Sequence, residues 1–511
     1  MALPSQPSHD PMTHILGWLS AEPAEDCFHD LVELRRHLER WLKLLPSRPE
    51  STVCIDGFDA RALDLVGRIK PRLLSAGLPV PRELYEACGR LSSGLTDLAR
   101  AHDELADRLE QGADEGHATP PIALRVRAMR LLGEAFMLAS MRGSEAPQGL
   151  WALAYRVFSQ INKASAQLVP ASDPHRSAVA GMGHFKRMAS ISALQPDSLT
   201  ARELVWVYDY LELTSGVAEF STEPILPESA AFWLDPEEDV APIACVRRLA
   251  PVRRRLLYFS AARLSKRVSE QIEWLERRIS DAEVVGLERD ADLLDPDASG
   301  LPLGLSPVEV LALLGRLRER WLSPPSREHV RRPHLYSVQV CSGLRNLWQL
   351  HRGGSAPPEV AEWMVCNESA GGYGIISVAD AEVNLSAGMA LGLRRSNKEA
   401  WSICVVRWVR QHEGEQVELG LQVLATACAA VSIAFRGSEP KVTKPALLLP
   451  PMPGHRNNAA VLAPAGTYCS RRFVMVRETG TLYVAQGRVL SLDMQTADVE
   501  LFQYEVDPFP I

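Results

Sequence analysis

The 511-residue chain is short of several things that would narrow its chemistry at once. Its nine cysteines stand singly, with no Cys-x-x-Cys pair and no Cys/His group at zinc-ligand spacing. Several lie in apolar runs such as Ser402-Ile403-Cys404-Val405-Val406, where a thiol is most simply a small buried hydrophobe in a reducing compartment. Its longest uncharged run, Leu419 to Phe435, is 17 residues and includes Gln422, Thr426 and Ser432, whereas a membrane-spanning helix needs about 20 strongly apolar residues. Met1 to Met12 has no basic region leading into an apolar stretch, so no secretory signal is expected and the cytoplasm is the expected location. There is no basic excess either: the net charge of −8 argues against a non-specific nucleic-acid binder. No Ser-His-Asp order, metal-ligand spacing or carboxylate pair stands out, and the expectation is a protein that is not an enzyme.

What is present divides the chain in two. Its length suggests about three domains. From about 28 to 321 the apolar residues recur at helical spacing, as in Leu31, Leu34, Leu38, Trp41 and Leu45, and again in Leu84, Leu91, Leu95, Leu98, Leu105 and Leu109. Further helices are expected near 121–142, 149–166, 200–214 and 254–280. Thr200 with Glu203, and Ser306 with Glu309, form capping-box patterns, and Pro307 suits the first position of a helix. Residues 1–27 are expected to be disordered. The acidic, proline-bearing stretch 218–243 reads as a divider within the helical part. No fixed repeat period is evident, so a bundle or an irregular helical array is expected.

A Pro-rich segment, 322–334, ends the last helix, because two prolines cannot continue it. Beyond it the runs become short and rich in Val, Ile and aromatics, separated by Gly, Asn and charged turns. That pattern predicts an antiparallel small barrel over 335–436 and a small β extension over 437–511. The fold class is thus multidomain α + β, a helical array followed by a barrel.

Two motifs carry chemistry. Arg327 and Arg331, four apart in the linker, each offer a planar fork that matches phosphate oxygens or the O6/N7 edge of guanine. Arg-x-x-x-Arg alone is common in basic linkers. Asn367-x-Ser369-x-x-Gly372 supplies short side-chain donors and acceptors next to a residue that lets backbone come close. Alone it is an ordinary hairpin turn. A basic run from Arg247 to Arg278, ten basic residues against three acidic, reads as a solvated face, or as a partner for residues 223–239, ahead of an anion-binding surface. Gly181-Met-Gly-His-Phe185 lacks the frame and lysine of a phosphate loop.

In combination the motifs become specific. Behind Asn367 come Tyr373-Gly-Ile-Ile-Ser-Val378, Gly388-Met-Ala-Leu-Gly-Leu393, Val405-Val406-Arg407-Trp408-Val409 and Val417-Glu418-Leu419-Gly420-Leu421. This order over about 327–425 resembles the PilZ family of cyclic di-GMP receptors. The resemblance implies that Arg327 and Arg331 clamp phosphate and guanine, that Asn367 and Ser369 contact a guanine base, and that Gly372 keeps the turn tight. Arg407 and Glu418 would be structural or peripheral.

The ligand implied is cyclic di-GMP, with no other cofactor and no metal. A protein partner would be engaged through the helical domain, with an output in bacterial motility, pilus function or surface attachment. A scaffold whose barrel no longer binds nucleotide is the alternative, and the retained arginine pair speaks against it. Two departures stand out. Thirty-five residues separate Arg331 from Asn367, more than is usual in the family, with residues 343–354 expected to form a short helix over the barrel. The first motif position is Asn rather than Asp, so it both donates and accepts.

Overall fold

The computed structural model describes residues 10–45, 53–112, 119–252, 255–285, 294, 299–326, 329–353, 358–378, 384–412, 416–435, 443–477 and 482–507. The chain divides into two compact units, one of residues 1–76, 80–193 and 207–264, the other of 77–79, 194–206 and 265–511.

The first unit is built on helices α1 (Pro11–Ser20), α2 (Cys27–Leu44), α3 (Ile55–Ala76), α4 (Arg82–Glu110), α5 (Pro121–Met141), α6 (Leu150–Ser165) and α7 (Asp173–Ala193), with the later part of α8 (Ala201–Thr214). Each buries an apolar face: Leu84, Leu91, Leu95, Leu98 and Leu105 of α4 are all inside, whereas Leu109 is half-buried. Arg125 of α5 is 1% exposed and reaches Asp103 at 3.4 Å and Asp107 at 2.7 Å on α4. That multiple pairing is what a buried guanidinium requires.

Two expectations change here. Helix α1 occupies part of the stretch expected to be disordered, with Met12 and Ile15 buried. The stretch read as a divider carries strands instead: β1 (Glu219–Ser221), β2 (Ala231–Leu234) and β3 (Ile243–Ala244), joined by β4 (Leu257–Ser260) in the antiparallel order β1-β4-β2-β3. Phe220, Phe259 and Phe232 form its apolar ladder, with centroid spacings of 5.0 and 5.8 Å. The acidic and proline residues fill the loops between these strands. Asp239 accepts from the amides of Trp151 and Ala152 at 3.0 and 3.1 Å, so one of those acids caps α6. Strand β4 also delays the basic helix, α9 (Ala262–Val285), which begins at 262 rather than 254. The Gly181 motif lies inside α7, where a Cβ would stand 2.8 Å from Val126 Cγ2; that glycine admits a neighbouring helix, not a phosphate.

In the second unit, α10 (Pro307–Leu322) opens with the expected capping box: the Ser306 amide donates to Glu309 Oε2 at 2.7 Å and the Glu309 amide to Ser306 Oγ at 3.4 Å. Strand β5 (Arg332–Ser342) follows, then α11 (Leu344–Arg352), β6 (Ala361–Ser369), β7 (Gly372–Ser377), β8 (Ala390–Arg394), β9 (Ser402–Gln411) and β10 (Val417–Ala425). These strands close an antiparallel barrel in the order β10-β7-β6-β5-β8-β9. Its interior holds Val338, Trp363, Val365, Ile375, Leu391, Cys404, Val406 and Leu419.

The expected β extension is a second closed barrel. It comprises β11 (Ala429–Phe435), β12 (Lys444–Leu449), β13 (Ala460–Pro464), β14 (Arg472–Arg477), β15 (Tyr483–Gln495) and β16 (Val499–Val506), and it begins at 429 rather than 437. Helix α11 lies between the barrels. Leu344 and Leu347 share one apolar cluster with Trp401 and Ile403 of the first barrel and Leu447, Leu462 and Leu501 of the second, while Trp348 Nε1 donates to the Val431 carbonyl at 2.7 Å.

Candidate functional site

The long spacer between the two motifs is absorbed by strand pairing. Strand β5 runs out, α11 turns the chain, and β6 returns antiparallel, so that Arg332 pairs with Glu368 and Pro333 with Asn367. Arg331, half-buried, is thereby one residue beyond the position opposite Glu368, and the arm meets the turn despite 35 intervening residues. His329 of the arm lies over the turn, its ring 3.4 Å from where a Cβ on Gly371 would stand. Arg327 lies outside the described residues.

Strands β6 and β7 form a tight hairpin in which Ser369 pairs with Gly372 and Ser369 Oγ donates to the Gly372 carbonyl at 3.3 Å. Gly372 is glycine for want of space. A Cβ there would meet the Leu421 carbonyl oxygen of β10 at 2.0 Å, and its φ is not among the positive ones of the described residues. The turn is kept tight by the neighbouring strand, not by a left-handed backbone.

A β-bulge decides where Asn367 points. Val365 is buried in the barrel, and simple alternation would send Asn367 inward too. The register shifts between Val365 and Asn367, spending Cys366 as the extra residue, and Asn367 pairs with Gly374 on the outer face. From there a single row crosses four strands: Asn367 on β6, Gly374 on β7, Gly420 on β10 and Trp408 on β9. Both glycines make room. A Cβ on Gly374 would stand 2.5 Å from Asn367 Nδ2, and one on Gly420 would stand 2.0 Å from Trp408 Nε1. The result is a flat shelf with an amide at one end and an indole at the other. Asn367 Oδ1 is buried with no hydrogen-bond partner among the described residues, an acceptor left open at considerable cost. Arg410 stacks over the Trp408 ring with Cζ 5.0 Å from its centroid.

Glu368 takes the opposite face, with Tyr373, at the barrel mouth. It accepts from the Tyr336 hydroxyl and, at 2.9 Å, from Arg395, whose guanidinium also stacks 4.3 Å from the Tyr336 ring centroid. His334 Nε2 is 3.7 Å away. The Tyr336 hydrogen bond, helped by Arg395, holds the Glu368 carboxyl below its ordinary range. Burial and that same bond push Tyr336 up to about 12. This cluster fastens the arm strand to the hairpin from the inside.

Of the residues read from sequence, Arg331, Asn367, Ser369 and Gly372 come together at one hairpin. Glu418 faces His412 at 3.3 Å, beside the shelf. Trp408 was read only as a family landmark. His329, Gly374, Arg395 and Arg410 were not singled out, because only the register, the bulge and the closed barrel bring them to the site.

Two regions of the chain match known families. Residues 13–225 match the family described as the N-terminal domain of the cyclic-di-GMP receptor FimW, and residues 349–430 match that described as its middle PilZ domain. The chain belongs to the PilZ-domain cyclic di-GMP receptor family. The cyclic-di-GMP receptor FimW of Pseudomonas aeruginosa is 30% identical over 102 residues, 20% of this chain and 17% of that protein. The matched stretch thus spans less than a fifth of the relative. The PilZ match takes in Asn367, Ser369, Gly372, Gly374, Trp408 and Gly420, while the arginine arm precedes it. Among the described residues no helix is long and apolar enough to cross a membrane, and no group of three or more His, Cys, Asp or Glu is placed to hold a metal.

Proposed function

We propose that this chain is a cyclic di-GMP receptor whose nucleotide lies on the outer shelf of the first barrel, under the arm that leads into β5. The carrying observation is Asn367: a buried, unpartnered acceptor held at the end of a glycine-floored row beside a tight turn. Asn367 and Ser369 meet a guanine edge, Arg331 and Arg327 take phosphate and the other guanine edge, and Gly372 keeps the hairpin closed. The FimW description, which names a cyclic-di-GMP receptor, supports the ligand.

The helical unit presents a surface to a protein partner, and ligand binding in the cytoplasm sets that partner's engagement. Bacterial motility, pilus function or surface attachment is the output the resemblance favours. Such a switch requires the ligand to bind two arrangements of the arm with different affinity. Thermal unfolding with and without cyclic di-GMP tests the reading. The wild-type chain gains stability with ligand, Asn367→Ala gains less, and Arg331→Ala gains none; equal gains in all three would refute these roles.

A further inference from the structure

Residues 194–206, which lead into and form the first turn of α8, are gripped by three arginines from the two elements that frame the nucleotide site. From β9, Arg410 Nη2 and Nε lie 2.8 and 2.9 Å from Asp197 Oδ2, in a short 3-10 turn, Pro196–Ser198. From α10, Arg320 donates to the Leu194 carbonyl at 2.7 Å and to Ser198 Oγ, and Arg316 pairs with Glu203. Glu203 is itself the capping residue of α8, accepting from the Thr200 amide at 2.9 Å. Burial and the nearby Arg316 and Arg407 charges lower Arg320 to about 9, so it remains a cation near pH 7.

The two sources of these arginines matter. Helix α10 runs directly into the arm that carries Arg331. Arg410 sits over Trp408, the indole end of the shelf, with Cζ 5.0 Å from the ring centroid. One segment is therefore touched both from the floor of the site and from the root of its arm. Asp197, mostly buried at 18% exposure, is the anion that keeps the half-exposed Arg410 stacked on Trp408 instead of turned toward solvent or ligand.

We propose that the Asp197–Arg410 pair is a positioning device for the nucleotide site, and that it reports occupancy of the shelf to residues 194–206 and the start of α8. The inference rests on the receptor reading above and deepens it. Arg410 holds the Trp408 plane ready for a base, so ligand stacking tightens Arg410 on Asp197, and tightening that pair favours ligand by the same factor.

The test titrates full-length protein with cyclic di-GMP and follows hydrogen exchange over 194–206. Wild type binds and gains protection there. Asp197→Asn, which preserves shape, binds about three- to tenfold more weakly, the range of a half-exposed ion pair coupled to a site, and loses the ligand-induced protection. The exchanged pair Asp197→Arg with Arg410→Asp recovers part of both. A merely structural pair would lower thermal stability without altering the ligand-induced change in exchange. Asp197→Asn binding like wild type with protection intact overturns the inference alone, and so does a weakened Asp197→Asn that the exchanged pair fails to rescue. A wild type that does not bind overturns the receptor reading, and this inference with it.

Discussion

Gly374→Ala separates the binding shelf from the fold that carries it. The added methyl would sit 2.5 Å from Asn367 Nδ2 and 2.8 Å from Oδ1, so one group must move. The group in the way is the end of a side chain, and the amide can rotate off the shelf while β6 and β7 keep their ladder. The expected cost to folding is about 1 kcal/mol, at the lower end of overpacking. The cost to binding is larger. Displacing Asn367 removes one or two hydrogen bonds to the base, about 1–1.5 kcal/mol each, or a rise in Kd of roughly 5- to 150-fold.

Gly372→Ala is the control. There the methyl would meet the backbone oxygen of Leu421 at 2.0 Å, which cannot rotate away, so the variant loses stability first. Calorimetry with cyclic di-GMP, paired with thermal unfolding, gives both quantities. Gly374→Ala that binds like wild type would show that Asn367 does not face the ligand, and the shelf reading would fall.

Other perturbations reach other parts of the site. Trp408→Ala, read by the same titration, removes a stacking face worth about 1–3 kcal/mol per base and weakens cyclic di-GMP accordingly; an unchanged Kd would place the ligand elsewhere. Raising salt from 50 to 500 mM weakens binding in wild type, because the arm's share is charge on phosphate, and a Kd that does not move with salt would take phosphate out of the arm's role. Glu368 has a folded pKa below its ordinary value, so its ties to Tyr336 and Arg395 add stability that is present above about pH 4.5 and lost as pH falls through the lowered value. Glu368→Gln should flatten that acid-side loss in thermal unfolding, and a variant that keeps the wild-type acid profile would assign the loss to other carboxylates. Trp348→Ala, which empties a contact between the barrels and removes the bond to Val431, should lower stability by about 3 kcal/mol without touching the ligand shelf.

Sequence alone reached the helical periodicity of α2 and α4, the two capping boxes and the change of texture after 334, because each is written in local residue choice. It did not single out α3 or α7. Gly57, Gly67 and Pro71 interrupt the first, and Gly181 and Gly183 the second, yet both are held by burial of faces such as Phe58, Leu65 and Ile69, or Phe185 and Met188. The strands over 219–244 were hidden by the acids and prolines of their loops. Within the site, Asn367, Ser369 and Gly372 were readable as a motif. The bulge at Cys366 that turns Asn367 outward was not, since a one-residue register shift leaves no local mark. The apparent gap between the motifs was a matter of counting along the chain, whereas β5 and β6 close it in space.

The most direct measurement is calorimetric titration of the full-length chain with cyclic di-GMP, repeated on Arg331→Ala and with GMP as competitor. Saturable binding at micromolar or tighter affinity is expected, abolished by the substitution and not reproduced by GMP. No heat of binding from the wild-type chain at tens of micromolar would contradict it.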